Sequence, residues 1–330
     1  APGRDAQPGR LPAGPTQGAR PRGPAAGPSE GGGHGAGRAR SGGSETRQFC
    51  DTTRETIQTE ERSTHSMSAT QALILGVVQG ITEFLPVSSS GHLLVLKHLF
   101  GLEEVPILFD VLLHIATLLV VILVFRQRIG QILAAIGRWI VRRHRQTDTE
   151  YLRLAVVVII ASVFTGVMGV VISELDFAWD PRVAGALFIV TAVILVASHF
   201  AKGTTGYATV GFKEAAITGI AQGFGVFPGI SRSGITISGA LFAGLSRERA
   251  GEFAFIISIP AIIGALGLTL RDAGELAAVV PPPALIAGVV AAFAMGLASI
   301  LLLLRIVRRA KLWVFAFYLV PLGVATLILA

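Results

Sequence analysis

A single cysteine, Cys50, leaves no intrachain disulfide to build a fold on, and it says nothing about redox compartment. Charge is also scarce. Only 15% of the 330 residues are Asp, Glu, Lys or Arg, against about 25% in ordinary soluble domains, while 52% are hydrophobic. With a mean hydropathy of +0.64, the composition argues against an ordinary soluble enzyme. The start of the chain lacks an apolar stretch behind its basic residues, so no secretory signal is legible there.

What is present is unevenly spread. Residues 1–66 hold 13 of the 39 glycines, 7 of the 16 prolines and 16 charged side chains, with Phe49 as the one aromatic. Such a segment cannot bury enough apolar surface to order itself, so a disordered leader or extension is expected at 1–66 and a membrane domain at 67–330. Met67 stands immediately before the first apolar segment and is the expected natural start. The net charge of +7 does not point to nucleic acid, because beyond the leader the basic residues fall in short clusters between apolar runs. Clusters of that kind report membrane topology.

Six runs are apolar enough to span a bilayer, at 106–125, 154–173, 183–200, 250–270, 284–304 and 312–330. Two others, 69–101 and 212–244, begin as apolar helices and break at Phe84-Leu-Pro-Val-Ser-Ser-Ser-Gly-His92 and Phe227-Pro-Gly-Ile-Ser-Arg-Ser-Gly234. The two broken segments align without gaps at an offset of 143 residues, pairing Gly76 with Gly219, Gln79 with Gln222, Gly80 with Gly223, Phe84 with Phe227, Ser88 with Ser231 and Ser90 with Ser233. The chain therefore reads as an internal duplication, with one repeat at about 67–205 and the other at about 206–330. Loop 126–153 carries seven arginines, whereas loop 174–182 holds Glu174, Asp176 and Asp180, which places the first loop inside. If segment 212–244 re-enters the membrane instead of crossing it, Arg305, Arg308, Arg309 and Lys311 also fall inside. The expectation is an all-α polytopic membrane protein of six transmembrane helices plus two re-entrant helix-loop-helix segments, arranged as an inverted-topology repeat with both termini extracytoplasmic.

Each break ends in Ser-x-Ser-Gly ahead of an apolar half-helix, so Ser88, Ser90, Ser231 and Ser233 are expected around two helix N-termini that attract an anion. Arg232, with Gly229, Ser231 and Thr236 nearby in sequence, adds a guanidinium suited to phosphate oxygens. The first copy contributes what the second lacks: Gln79 and Glu83 one helical turn apart, then Ser89 and His92, where the second copy has Gln222, Val226, Arg232 and Ile235. A carboxylate and an imidazole near a hydroxyl supply a base and a nucleophile for attack on phosphorus. Structural roles compete with this reading: Glu83 as a buried acid paired to Arg232, the serines as plain caps, His92 as an interfacial histidine. Asp110 and His114, four apart in the first full span, form either a functional pair or a packing bridge. Glu252 is a weaker case of the same kind. Arg138, Arg142, Arg143 and Arg145 flank an amphipathic stretch and are expected to meet anionic lipid.

Gln79-Gly-Ile-Thr-Glu83-Phe-Leu-Pro-Val-Ser-Ser-Ser-Gly-His92 and Pro228-Gly-Ile-Ser-Arg-Ser-Gly-Ile-Thr236 resemble the two signature motifs of the bacterial undecaprenyl-diphosphatase family associated with bacitracin resistance. The resemblance runs from about Met67 to the C-terminus and includes Phe109-Asp-Val-Leu-Leu-His114. It implies hydrolysis of undecaprenyl diphosphate to the monophosphate in the inner membrane, recycling the carrier for cell-wall synthesis. It also implies dependence on a divalent cation, Mg2+ or Ca2+, held by Glu83 with Gln79. The family has Glu or Gln at position 79 and this chain has Gln, which leaves one motif carboxylate for a metal. The expected catalytic residues are Glu83, Ser89, His92 and Arg232, and the expected substrate-binding residues are Gln79, Ser88, Ser90, Gly229, Ser231, Ser233 and Thr236. The expected partners are a prenyl diphosphate, membrane lipids and no nucleic acid, with homo-oligomerisation left open. The competing function is a transporter or flippase of a lipid phosphate, since inverted repeats with broken helices also build transporters.

Overall fold

The computed structural model describes residues 67–102, 104–143, 145–174, 180–270 and 273–329; the leader at 1–66 and Asp176 lie outside them. Twelve α-helices make up this part of the chain, with no strand among the described residues beyond one isolated bridge between Thr205 and Leu245. Helix α1 is Ala69–Phe84, α2 Ser89–Phe100, α3 Ile107–Val124, α4 Arg126–Ile140, α5 Asp148–Ser173 and α6 Pro181–Ser198. They are followed by α7 at Phe212–Phe224, α8 at Arg232–Ala243, α9 at Arg247–Thr269, α10 at Ala273–Val279, α11 at Pro282–Arg308 and α12 at Ala316–Leu329.

The helix boundaries follow local chemistry. Ser68 and Gln71 form a reciprocal cap at the start of α1. Its end is set by Pro86, because the residue before a proline is pushed out of helical geometry, and Leu85 is extended at φ −61°, ψ 139°. Asp180 caps α6, whose first residue is Pro181. The run expected at 154–173 starts six residues earlier, at Asp148, because that carboxylate takes the Arg145 backbone N–H and two bonds from Arg138, at 2.9 and 2.5 Å. The last expected span opens with a 3₁₀ turn at Leu312–Phe315 before α12.

Among the described residues six helices are long and apolar enough to cross a membrane: Ile107–Val124, Asp148–Ile172, Pro181–Ser198, Arg247–Thr269, Pro282–Arg308 and Leu312–Leu329. The two segments expected to break do so, as α1–α2 and α7–α8. Helix α1 packs along α11, α7 along α5, and α6 along α12. Small residues make these approaches close, as suits helices that gain little from apolar burial in lipid. A side-chain carbon at Gly76 would strike the Gly288 carbonyl, and one at Gly219 would strike the carbonyl of Ala161. One apolar core gathers Phe84, Phe188, Phe253, Phe255 and Ile300, and a second gathers Leu75, Phe109, Leu113 and Ala292.

Candidate functional site

At the first break Ser88 adopts φ +67°, a conformation that costs a non-glycine residue on the order of 1–3 kcal/mol. That turn aims its hydroxyl in two directions at once. Ser88 Oγ accepts from the Gly91 backbone N–H at 3.3 Å, capping α2, and from the Gly229 backbone N–H of the other break at 3.0 Å. Ser90 Oγ lies 3.5 Å from it.

The second break passes through Gly229 at φ +98°, where a side chain would also collide with the Ala184 carbonyl of α6. Glycine is the residue that tolerates both conditions. Thr191 of α6 holds this turn from both ends, donating to the Gly229 carbonyl at 2.9 Å and accepting from the Ser231 N–H at 3.1 Å. Ser231 caps α8 by accepting from Gly234 N at 3.0 Å and lies 3.2 Å from Ser233 Oγ. Ser233 reaches the first break, donating to the Leu85 carbonyl at 3.4 Å.

The meeting of the breaks sets four side chains on one carboxylate. Glu83, in the last turn of α1, is buried. Its Oε1 receives the guanidinium of Arg232, the first residue of α8. Its Oε2 accepts from Ser89 Oγ at 2.7 Å, from Gln79 Nε2 at 3.0 Å, and faces His114 Nε2 at 3.3 Å. A small cavity adjoins the group, lined among others by Glu83, Arg232, Ser233 and Thr236. A hydroxyl donating to a carboxylate beside a guanidinium has the order needed to deprotonate an oxygen nucleophile next to a bound anion.

The remaining expected residues are placed differently. His92 does not reach Glu83 or Ser89: its Nδ1 donates to the Ser88 carbonyl at 2.7 Å, its Nε2 lies 2.8 Å from Tyr318 Oη, and its ring stacks on Tyr318 and meets Phe188 edge-on. Thr236 donates back to the Arg232 carbonyl at 2.5 Å. Asp110 and His114 do not pair through their side chains. Asp110 takes Lys97 Nζ at 2.8 Å, and only its backbone carbonyl accepts from His114 Nδ1, at 2.7 Å. Glu252 binds Arg128 at 2.6 Å and Arg249 at 3.1 Å, a cluster that also sets Arg128 and Arg249 against the Tyr207 ring. Arg138 is taken by Asp148, whereas Arg142, Arg143 and Arg145 are exposed. His114 on Glu83, Thr191 on the second turn and Tyr318 on His92 are contacts the sequence did not assign. Of these, only His114 left a signal, as an ionisable group inside an apolar span.

The donors for a divalent cation are few. Gln79 Oε1 is buried without a partner, which offers one free oxygen. Glu83, however, already carries Arg232 on one oxygen and three donors around the other, so a cation held by Glu83 and Gln79 would face a guanidinium at contact distance. No group of three or more His, Cys, Asp or Glu side chains among the described residues could enclose a metal ion. The residues as arranged do not fit a protein-enclosed metal site.

Comparison with known proteins bears on the same residues. The family model described as "Bacitracin resistance protein BacA" matches residues 72–325, spanning both breaks. An undecaprenyl-diphosphatase of Treponema denticola is 47% identical over 257 residues, covering 78% of this chain and 96% of its own length. Proteins of the same name from Desulfosudis oleivorans and Carboxydothermus hydrogenoformans are 39% and 41% identical, covering 79% and 80% of this chain and 98% of each relative. With breaks, carboxylate and guanidinium all inside the matched region, the chain belongs to the bacitracin resistance protein BacA family.

Proposed function

We propose that this chain is an integral membrane phosphatase that hydrolyses undecaprenyl diphosphate to undecaprenyl phosphate and inorganic phosphate, returning the lipid carrier to cell-wall synthesis. One observation carries the reading: Ser89 donates its hydroxyl hydrogen to Glu83 at 2.7 Å while Arg232 sits on the other oxygen of the same carboxylate. A carrier needs an anion clamp but has no use for a hydroxyl poised on a base.

In this mechanism the diphosphate draws Arg232 from Glu83 and rests its oxygens on the guanidinium and the N-termini of α2 and α8. Ser89 Oγ attacks the terminal phosphorus and gives its proton to Glu83. The bond from that phosphorus to the bridging oxygen breaks, its electron pair leaving on undecaprenyl phosphate. Water then attacks the phosphoserine, the bond from phosphorus to Ser89 Oγ breaks as Glu83 returns its proton to that oxygen, and inorganic phosphate departs carrying the protons of the water. Ser88, Ser90, Ser231, Ser233, Gly229 and Thr236 shape the cradle, and Gln79 steadies Glu83. His92 fixes the start of α2 through Ser88. A divalent cation, Mg2+ or Ca2+, would supply charge neutralisation for the diphosphate, and Glu83 and Gln79 as arranged would not hold it.

The architecture we propose is an inverted-topology repeat, residues about 67–205 and 206–330, with both broken segments re-entrant and both termini outside the inner membrane. Its support is the exchange of partners: α1 of the first half packs on α11 of the second, and α7 of the second on α5 of the first. Reporters fused at the C-terminus and in residues 140–150 test it; the C-terminal one reads extracytoplasmic and the loop one cytoplasmic. The activity is tested by phosphate release from undecaprenyl diphosphate in detergent, which abolishes sidedness but not hydrolysis. A folded protein that binds the lipid and releases no phosphate would return the reading to a transporter.

A further inference from the structure

The proposed reaction asks Arg232 to leave Glu83 for the diphosphate, and a buried carboxylate left with no cation beside it would hold the arginine back. His114 changes that balance. Its Nδ1 faces the Asp110 backbone carbonyl at 2.7 Å and its Nε2 faces Glu83 Oε2 at 3.3 Å. A carbonyl and a carboxylate oxygen both only accept hydrogen bonds, so a ring that satisfies both carries hydrogen on each nitrogen. The ring of α3 is thereby a second cation on Glu83, on the oxygen Arg232 does not use. Among the described residues the charged groups that act on it are Glu83 of α1 and Arg232 of α8, and the Asp110 carboxylate is turned to Lys97.

We propose that His114 is a positioning residue that keeps Glu83 ionised and aimed at Ser89 while Arg232 moves onto the diphosphate. The inference rests on the phosphatase reading and sharpens it. With one carboxylate between two cations, the resting cluster keeps a positive charge in reserve for a polyanion. Once Arg232 has moved, the imidazole still balances Glu83, and Ser89 keeps its acceptor.

The test uses the full chain, purified in detergent, as wild type, His114→Gln and His114→Leu, with activity normalised to folded protein. Glutamine can still donate to Glu83 but brings no charge, so it preserves packing without the proposed role. We expect KM for undecaprenyl diphosphate, and the inhibition constant of inorganic diphosphate, to rise about tenfold or more in both variants, because Arg232 stays on the carboxylate. Ring 15N signals of wild-type His114, assigned by their loss in His114→Gln, should show hydrogen on both nitrogens. A fall in kcat with unchanged KM, wild-type kinetics in His114→Gln, or a singly protonated ring would each overturn the proposal. If His114→Leu does not fold, His114→Gln and the ring signals decide. A wild type that releases no phosphate refutes the phosphatase reading instead, and the ring signals still judge the protonation of His114.

Discussion

The two broken segments share a scaffold and divide the chemistry. Gly76 and Gly80 let α1 meet α11, and the matching Gly219 and Gly223 let α7 meet α5. Gln79 and Gln222 each bury an amide that donates from Nε2 and leaves Oε1 without a partner. Ser88 and Ser231 each cap the half-helix that follows. The copies part company at the next positions, where Glu83 faces Val226 in register and Ser89 faces Arg232. Ser89 and Arg232 are each the first residue of a half-helix, and they arrive at opposite oxygens of the one carboxylate. In the mechanism we propose, equivalent positions take complementary jobs as nucleophile, base and clamp, a division that needs few changes to the shared frame.

The strongest challenge to that division is Glu83→Gln. The amide keeps the shape but cannot take the Ser89 proton, so kcat should fall by about 10²–10⁴-fold while binding of the lipid diphosphate stays measurable. Near wild-type turnover would leave the first copy without a catalytic part. Arg232→Lys keeps the charge and loses the planar two-oxygen contact; with hydrogen bonds to charged groups worth about 1.5–3 kcal/mol each, kcat/KM should drop by roughly one to two orders of magnitude. Unchanged kinetics in this variant would mean the second copy supplies charge alone.

Gly76→Ala and Gly219→Ala address the shared frame. Each added carbon meets backbone, so both should lower stability by about 1–3 kcal/mol, read as a lower thermal-unfolding midpoint in detergent. A large loss in one and none in the other would show that the matched seams are not equivalent. The smallest effect is expected for Gln222→Ala, which gives up bonds to Thr165 Oγ1 and the Ile257 carbonyl, both at 3.1 Å. Interhelical bonds of this kind average about 0.6 kcal/mol in membranes, and activity should stay within about threefold of wild type. Damage equal to that of Arg232→Lys would place chemistry in the second copy's helix and break the comparison.

Much of this was legible because it is written locally. Pro86 and the Ser-x-Ser-Gly sequences announce the breaks, and the serine spacing announces the caps. The Gln79–Glu83 contact follows from one helical turn. What the sequence could not show is rotation of one helix about its axis relative to another. Asp110 and His114 share a face of α3, yet the first points at Lys97 and the second at Glu83. His92 meets Tyr318 across 226 residues, a pairing that follows from α2 and α12 both packing on α6. Arg232 was expected as a clamp for substrate, with an ion pair to Glu83 as the competing structural role; the ion pair is present, and in our mechanism it is the resting position of the clamp.

The bond from Gly229 to Ser88 also bears on how the protein is made. Its partners lie 141 residues apart, so Ser88 enters the membrane long before the glycine that completes its turn has been synthesised. Until then the hydroxyl has its own cap to serve and nothing from the other half to hold. The first half is therefore inserted with an unfinished turn, and the ribosome must pass Gly229, well into the second half, before the turn at Ser88 can lock. A gene divided between the halves would yield two fragments that acquire a working centre only after they find each other in the bilayer.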